Sequence, residues 1–310
     1  MPRVEIGPFE EEHVEGAAAV LAARHARHLE AEPLLARVGD FREQVERERA
    51  AEGASGAAAL ADGRVVGYLI GRRLEDQLGQ FLRVEVAGHA VEEAETVRDL
   101  YALAAARWVE EGLTREHVFV PALPDLVEPW FRLSFGASAA LAVRETAVEP
   151  RVDFGGSIRR STPEDLEVSA SFDRLLQLHN SRPPSFSGFS TADEQEFVED
   201  WRDTWDEPQY THFVAERDGR IVGHVLLYRR PEGDLRVPAQ SIDLANAATD
   251  PNVRGSGVGV ALTHHVLTWA HEHGFSAMTT DWRMTNLEAS RFWPRRGFRE
   301  TFLRLYRSIP

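Results

Sequence analysis

The chain has 310 residues, 43% of them hydrophobic and 27% charged, with a formal net charge of −15. That balance fits a soluble protein of one large or two ordinary domains. It argues against a broad basic surface for nucleic acid, and no apolar run reaches the roughly 20 residues of a membrane span. Residues 1–29 carry Glu and His where a signal peptide needs an apolar block, so the protein reads as cytoplasmic. Cysteine and lysine are absent, and all 35 basic residues are Arg. Disulfides, Cys-based metal sites and a Cys acyl-enzyme are thereby excluded, as are a lysine-bearing phosphate loop and lysine Schiff-base chemistry. The acidic surplus favours a cationic small molecule, or serves solubility alone.

In chain order, residues 42–49 alternate in charge and read as a solvated helix face. A turn at Asp62-Gly63 precedes the apolar strand Arg64-Val65-Val66-Gly67-Tyr68-Leu69, a hairpin pattern. Val84-Glu85-Val86-Ala87-Gly88-His89-Ala90 reads as the next strand. A helix over 100–111 stops at Gly112. Near 149–156, Pro150, Gly155 and Gly156 mark a join, after which Thr162-Pro163-Glu164-Asp165 starts a helix with an N-cap and a first-turn Pro. Residues 180–188, with Pro183-Pro184, read as a loop between helices, either a connector or a lid over a substrate. The earlier plan then recurs: Asp218-Gly219-Arg220-Ile221-Val222-Gly223 repeats the hairpin, Ile242-Asp243-Leu244-Ala245-Asn246-Ala247-Ala248 the strand, and a helix over 261–273 stops at Gly274. Each half is an α/β (α+β) domain of about 150 residues, the first spanning 1–152 and the second 153–310.

The halves differ at the turn from strand to helix. The first copy is four residues shorter between its strand and its helix-ending glycine, and it carries Glu92, Glu93 and Glu95 there. The second carries Arg254-Gly255-Ser256-Gly257-Val258-Gly259. Glycines let backbone N–H groups approach a ligand, the following helix offers its positive end, and Arg254 can add a charge-assisted contact. The second turn therefore suits a pyrophosphate, and the first repels one. A dinucleotide fingerprint would need a glycine where Val260 or Leu262 stands.

Arg254-x-x-Gly257-x-Gly259 resembles the coenzyme A loop of the GCN5-related N-acetyltransferases (GNAT). Asn286-Leu287-Glu288-Ala289-Ser290-Arg291-Phe292-Trp293-Pro294-Arg295-Arg296-Gly297-Phe298 is similar to that family's second motif. The resemblance covers the second half and extends to the first in outline, as in tandem members of the family. It implies two GNAT-like domains, each a mixed, mostly antiparallel central sheet flanked by helices, with only the second binding cofactor. It further implies acetyl-coenzyme A, or another acyl-coenzyme A, as co-substrate without a metal. The backbone of Ala247, Ala248 and Thr249 would pair with the pantetheine arm. Residues Arg254, Gly255, Ser256, Gly257, Val258 and Gly259 would hold the pyrophosphate, and Asn286 the pantetheine or diphosphate side.

The family's aromatic pair often ends in a Tyr that protonates the departing thiolate. Trp293 stands there instead, and indole gives up no proton. Tyr306 is the remaining candidate acid, with a plain strand position as its alternative. For the base, Asp243 is the first candidate and Asp281, on the next strand, the second; solvent or Arg contacts are the bland reading of Asp243. Trp201, Trp205 and Trp282 line either a pocket or the core. His264-His265 and His271-Glu272-His273 lack the spacing of a helical zinc site and read as a solvated face. The sequence thus points to an N-acyltransferase acting by direct transfer on a small-molecule amine; the other reading is a non-catalytic acyl-coenzyme A binding protein or sensor. N- versus O-transfer stays open, as does oligomeric state, a homodimer included.

Overall fold

The computed structural model describes residues 4–187, 198–199, 201–202 and 205–310. The chain forms two compact units. The first comprises residues 1–140, 233–236 and 300–310, and the second residues 141–232 and 237–299. None of the helices among the described residues is long and apolar enough to cross a membrane.

The first unit contains β1 (Val4–Pro8), α1 (Val14–Ala31), α2 (Phe41–Arg49), β2 (Ser55–Ala61), β3 (Arg64–Asp76), β4 (Gly79–Val84), β5 (His89–Val91), α3 (Thr96–Glu110), β6 (Arg115–Pro121) and α4 (Pro124–Arg132). Strand β7 (Gly136–Glu145) then carries the chain across the division. The first unit's sheet runs β1-β2-β3-β4-β6 and continues to β13 (Arg299–Ser308), whose residues 300–308 belong to this unit and pair antiparallel with β6. Strand β5 pairs with β3.

The second unit holds β8 (Ser157–Arg160), α5 (Leu166–Asn180), β9 (Tyr210–Arg217), β10 (Arg220–Tyr228), β11 (Ser241–Thr249), α6 (Val258–Glu272), β12 (Ala277–Arg283) and α7 (Leu287–Phe292). Its sheet runs β12-β11-β10-β9-β8, antiparallel except for the β11–β12 pair. Both units are therefore mixed, mostly antiparallel sheets with helices.

Local chemistry explains several elements. Asp62-Gly63 and Asp218-Gly219 both take positive φ, at 49° and 75° and at 53° and 71°. That is the twist a two-residue hairpin needs to match its strands, and these turns join β2 to β3 and β9 to β10. Gly112 and Gly274 close α3 and α6 in the left-handed region. Residues 84–90 depart from the single strand expected. β4 ends at Val84, a short 3-10 turn covers Val86–Gly88, and β5 restarts at His89. The break is built around buried Glu85, which pairs with Arg72, Arg83 and Arg236. Gly88 permits it, because a Cβ there would stand 2.6 Å from the Ile70 carbonyl oxygen.

The tightest backbone approach in the first unit is at Gly56, where a Cβ would fall 1.9 Å from the Leu69 carbonyl oxygen. Gly56→Ala should lower unfolding stability by about 2–4 kcal/mol, whereas Gly7→Ala, with nothing within 4 Å of the new methyl, should leave it within about 0.5 kcal/mol. Thermal and denaturant unfolding of both variants measures the difference.

Candidate active site

The second unit's sheet opens where a ligand could enter. β11 pairs with β12 only from Ser241↔Ala277 to Leu244↔Thr280. Beyond that point β11 keeps its pairing with β10, after a register shift that leaves Ala245 as an extra bulged residue. β12 meanwhile runs on to Arg283. The strands diverge into a wedge, and among the described residues the β12-facing backbone edge of residues 246–249 has no strand beside it. Unpaired N–H and C=O groups on such an edge form a template for an extended chain with amide groups of its own. Ala247, Ala248 and Thr249 lie on this edge.

The chain leaves the wedge through a tight turn. Asp250 accepts a hydrogen bond from the Asn252 amide at 2.8 Å, and Gly255 and Gly257 take φ of 79° and 90°. Helix α6 starts at Val258 with Gly257 as its N-cap and no side-chain cap. Its first-turn N–H groups therefore face outward with the positive end of the helix dipole. A Cβ at Gly259 would make only ordinary contact, 3.6 Å from Phe292 and 3.8 Å from the Thr249 methyl. Arg254 reaches Glu288 at 2.8 Å, and Arg217 donates to the Ser256 hydroxyl at 3.3 Å. Two guanidinium groups thus flank the turn.

Asn286 caps α7, accepting the Ala289 N–H at 3.1 Å and donating to Asn180 at 3.1 Å. Trp293 is buried edge-on against Phe292 and Phe298. Tyr306 lies on β13 in the first unit, opposite His117 in the register with their rings 5.0 Å apart. Its position accords with an ordinary strand residue.

The two candidate bases share one face of the sheet, because Asp243 is level with Thr279 and Asp281 follows two residues on. Their circumstances differ. Asp243 is buried, binds Arg230 at 2.6 Å and accepts from the Thr279 hydroxyl at 2.7 Å. Its carboxyl is raised by burial, against the pull of Arg230. Asp281 is the first β12 residue past the last β11 pair, at the mouth of the wedge. It makes no hydrogen bond or ion pair among the described residues. Water reaches it, yet protein crowds it enough that desolvation raises its carboxyl, with Arg230 and Arg283 opposing.

A polar relay absent from the sequence reading lies on the same face. Asp173 of α5 accepts from Trp201 Nε1 at 3.1 Å and from Asn246 Nδ2 at 2.6 Å, and Asn246 Oδ1 lies 3.1 Å from His224 Nε2. The Asp173 carboxylate oxygen accepts from the amide N–H, so it orients the Asn246 amide. Oδ1 then faces the ring, Nε2 must carry the proton, and Nδ1 keeps its lone pair. Beside it, His212 stacks on Trp205 at 4.3 Å, and neither of its buried ring nitrogens has a partner among the described residues. Trp201 and Trp205 thus flank His212, while Trp282 is core. The sequence offered only the position of Asn246 on the strand; the lid reading of residues 180–188 ends at Gly188, outside the described residues.

The first unit has the same divergence but fills it. β4 pairs with β6 only as far as Val84↔Val118, and β5 pairs with β3. Here Arg24 donates to the carbonyls of Val86, at 2.8 Å, and His89, and Tyr68 donates to that of Ala87 at 2.7 Å. The His89 ring spans to the Phe119 carbonyl at 2.8 Å. The edge left open in the second unit is occupied here by the protein's own side chains.

A sequence model of the acetyltransferase (GNAT) family matches residues 172–298. The matched stretch is less than half of the chain, and it is this part that resembles the GNAT family. An uncharacterized N-acetyltransferase of Mycobacterium tuberculosis is 30% identical over 101 residues, covering 33% of this chain and 60% of the relative. The L-2,4-diaminobutyric acid acetyltransferase of Nocardia farcinica is 39% identical over 70 residues, 23% of this chain and 34% of that protein. Among solved structures, a GCN5-related N-acetyltransferase from Sphaerobacter thermophilus matches with a TM-score of 0.60 at 13% identity, over 98% of this chain and 95% of that one. A tandem GNAT protein from the clavulanic acid biosynthesis pathway matches with 0.53 at 14% identity, over 99% and 98%. At such identities the structural matches establish the fold.

Burial makes the site's imidazoles acid-sensitive. Desolvation, aided by Arg160, lowers His212 to about 4, and desolvation lowers His224 to about 3 against the Asn246 hydrogen bond. The folded state then binds fewer protons than the unfolded chain between those values and about 6.5. Each neutral histidine should therefore cost about 1.4 kcal/mol of stability per pH unit as pH falls through this window. Unfolding at a series of pH values should show this slope for the wild type and a smaller one for His212→Phe.

Proposed function

We propose that the second unit binds an acyl-coenzyme A, in the first place acetyl-coenzyme A, and transfers the acyl group directly to a small-molecule amine. The observation that carries this reading is the placement of an open backbone edge and a glycine-lined helix start at successive positions of one chain segment, residues 245–259. Pantetheine amides would pair along 247–249, and the pyrophosphate would meet the N–H groups from Gly255 to Gly259 with Arg254 alongside. The Arg254–Glu288 pair would open to release the guanidinium. The thioester would then fall near the Ala245 bulge, level with Asp281.

Between the two carboxylates, Asp281 is the better base. Asp243 is held by Arg230 and Thr279, whereas Asp281 has a carboxylate without a hydrogen-bond partner among the described residues, and burial raises its proton affinity. As the neutral amine attacks the thioester carbonyl, its proton passes to Asp281, and collapse of the tetrahedral intermediate expels the thiolate. With a thiol pKa of about 8.5, that leaving group can take its proton from water, which Trp293 cannot supply. The Nocardia relative's name is compatible with a small amine as acceptor. Trp293 is also what favours the second reading, a non-catalytic acyl-coenzyme A sensor. Coenzyme A release measured over an amine panel separates the two: turnover with an amine supports transfer, and tight binding without turnover supports the sensor.

Asp281→Asn should lower kcat by about 10²-fold or more while leaving acyl-coenzyme A affinity within about twofold, measured by steady-state kinetics and calorimetry. Asp243→Asn should act mainly on stability. Arg254→Glu should abolish acyl-coenzyme A binding by calorimetry and Glu93→Arg should leave it nearly unchanged; equal losses would contradict the assignment of the cofactor to the second unit.

A further inference from the structure

Asp243, Arg230, Asp281 and Arg283 stand close enough at the mouth of the second unit's wedge to act on one another's charge. Asp243 and Arg230 close on each other at 2.6 Å, and the Arg230 guanidinium lies over the Tyr228 ring at 5.9 Å. Tyr228 stacks in turn on Tyr210 at 4.9 Å. That ion pair is complete. Asp281 and Arg283 form no such pair. Both follow the last β11–β12 partner, Leu244↔Thr280, and as residues two apart on β12 they share one face. The half-buried Arg283 side chain makes no hydrogen bond or ion pair among the described residues, and neither does that of Asp281.

The backbone beneath the second pair is held. The Arg283 carbonyl accepts from the Asn286 N–H at 2.9 Å, and the Met284 carbonyl accepts from the Ser290 hydroxyl at 2.9 Å, which ties the end of β12 to α7. Opposite charges this near attract, and Arg283 does pull the Asp281 carboxyl down against burial. The two side chains nevertheless stay beyond ion-pair distance, so each is left to water or to a ligand. The closed Arg230–Asp243 pair adds little net charge of its own. What the mouth offers a ligand is therefore one carboxylate and one guanidinium side by side. The chain's formal net charge of −15 favours cations at large, but a plain cation docked on Asp281 would meet repulsion from Arg283. A ligand with both signs matches both groups.

We propose that the acceptor is an amino acid whose carboxylate is held by Arg283 while its reactive amine lies at Asp281. This deepens the acyltransferase reading of the second unit and rests on it. A planar guanidinium takes a carboxylate through two parallel N–H···O bonds, which fixes the direction of the ligand as well as its place. Cα atoms two apart on a strand stand about 6.8 Å from each other, which suits an amine set back from the carboxylate by about two to four methylene groups. An α-amine, one carbon from its carboxylate, is too close to reach both residues. Arg283 is thus a specificity-determining residue, and Asp281 keeps the role of base.

Initial rates with acetyl-coenzyme A over β-alanine, γ-aminobutyrate and δ-aminovalerate, each beside its carboxamide, test this. In the wild type the best acid should exceed its carboxamide in kcat/KM by about 10-fold or more. Arg283→Gln should act on KM far more than on kcat and bring acid and carboxamide level. Arg283→Lys should restore part of the preference, because a point charge replaces the fork. Equal rates for acid and carboxamide in the wild type, or an acid preference that survives in Arg283→Gln, would overturn the proposal and leave acyl transfer standing. A loss of acetyl-coenzyme A affinity in Arg283→Gln, read by calorimetry, would overturn it too, by giving Arg283 to the cofactor. If no amine turns over, the transfer reading fails, and calorimetry of the same acids and carboxamides on coenzyme A-loaded protein decides the proposal by itself. Tighter binding of the acid that is lost in Arg283→Gln supports it; no difference between acid and carboxamide overturns it.

Discussion

The structure turns on the point at which a parallel strand pair comes apart. In the second unit this happens after Leu244↔Thr280, and it exposes backbone hydrogen-bonding groups along residues 246–249. Backbone N–H and C=O groups left without partners away from water are costly, so such an opening must be filled by protein, water or ligand. The candidate chemistry follows from leaving it to a ligand. The bulge at Ala245 sets where the opening starts, Asp281 stands at its mouth, and the glycine turn at 255–259 lies at its far end.

The first unit shows the alternative solution to the same geometric problem. Its opening is filled by Arg24, Tyr68 and His89, which together engage the carbonyls of Val86, Ala87, His89 and Phe119. Its helix α3 starts among glutamates instead of glycines. Backbone plug and acidic turn act in the same direction, so the same opening is left open in one unit and closed by side chains in the other. Reopening the first unit would require several substitutions at once, because each plug residue is tied to a different carbonyl.

Much of this was legible in the sequence because it is local. The Asp-Gly hairpins, the glycine helix stops and the anion-suited turn each depend on residues a few positions apart. The wedge depends on where pairing between β11 and β12 ends, a relation across 36 residues, and hydrophobic alternation reads the same whether a strand is paired on one edge or two. For that reason residues 84–90 looked like one strand, although a buried Glu85 and three arginines break it. The plug was equally hidden, since Arg24 reaches carbonyls 62 and 65 residues away. In the sequence Asp243 and Asp281 differ only in strand position; the Arg230 and Thr279 contacts that engage Asp243 are visible only in three dimensions.

We propose that acyl-coenzyme A pairs with the open edge of the second unit and not with the plugged edge of the first. Backbone amide hydrogen exchange, with and without acetyl-coenzyme A, tests it most directly because it reads the proposed hydrogen bonds themselves. Slowed exchange is expected at residues 245–260 alone, with residues 86–98 unchanged. Protection appearing at 86–98, or no protection in either segment at saturating cofactor, would contradict it.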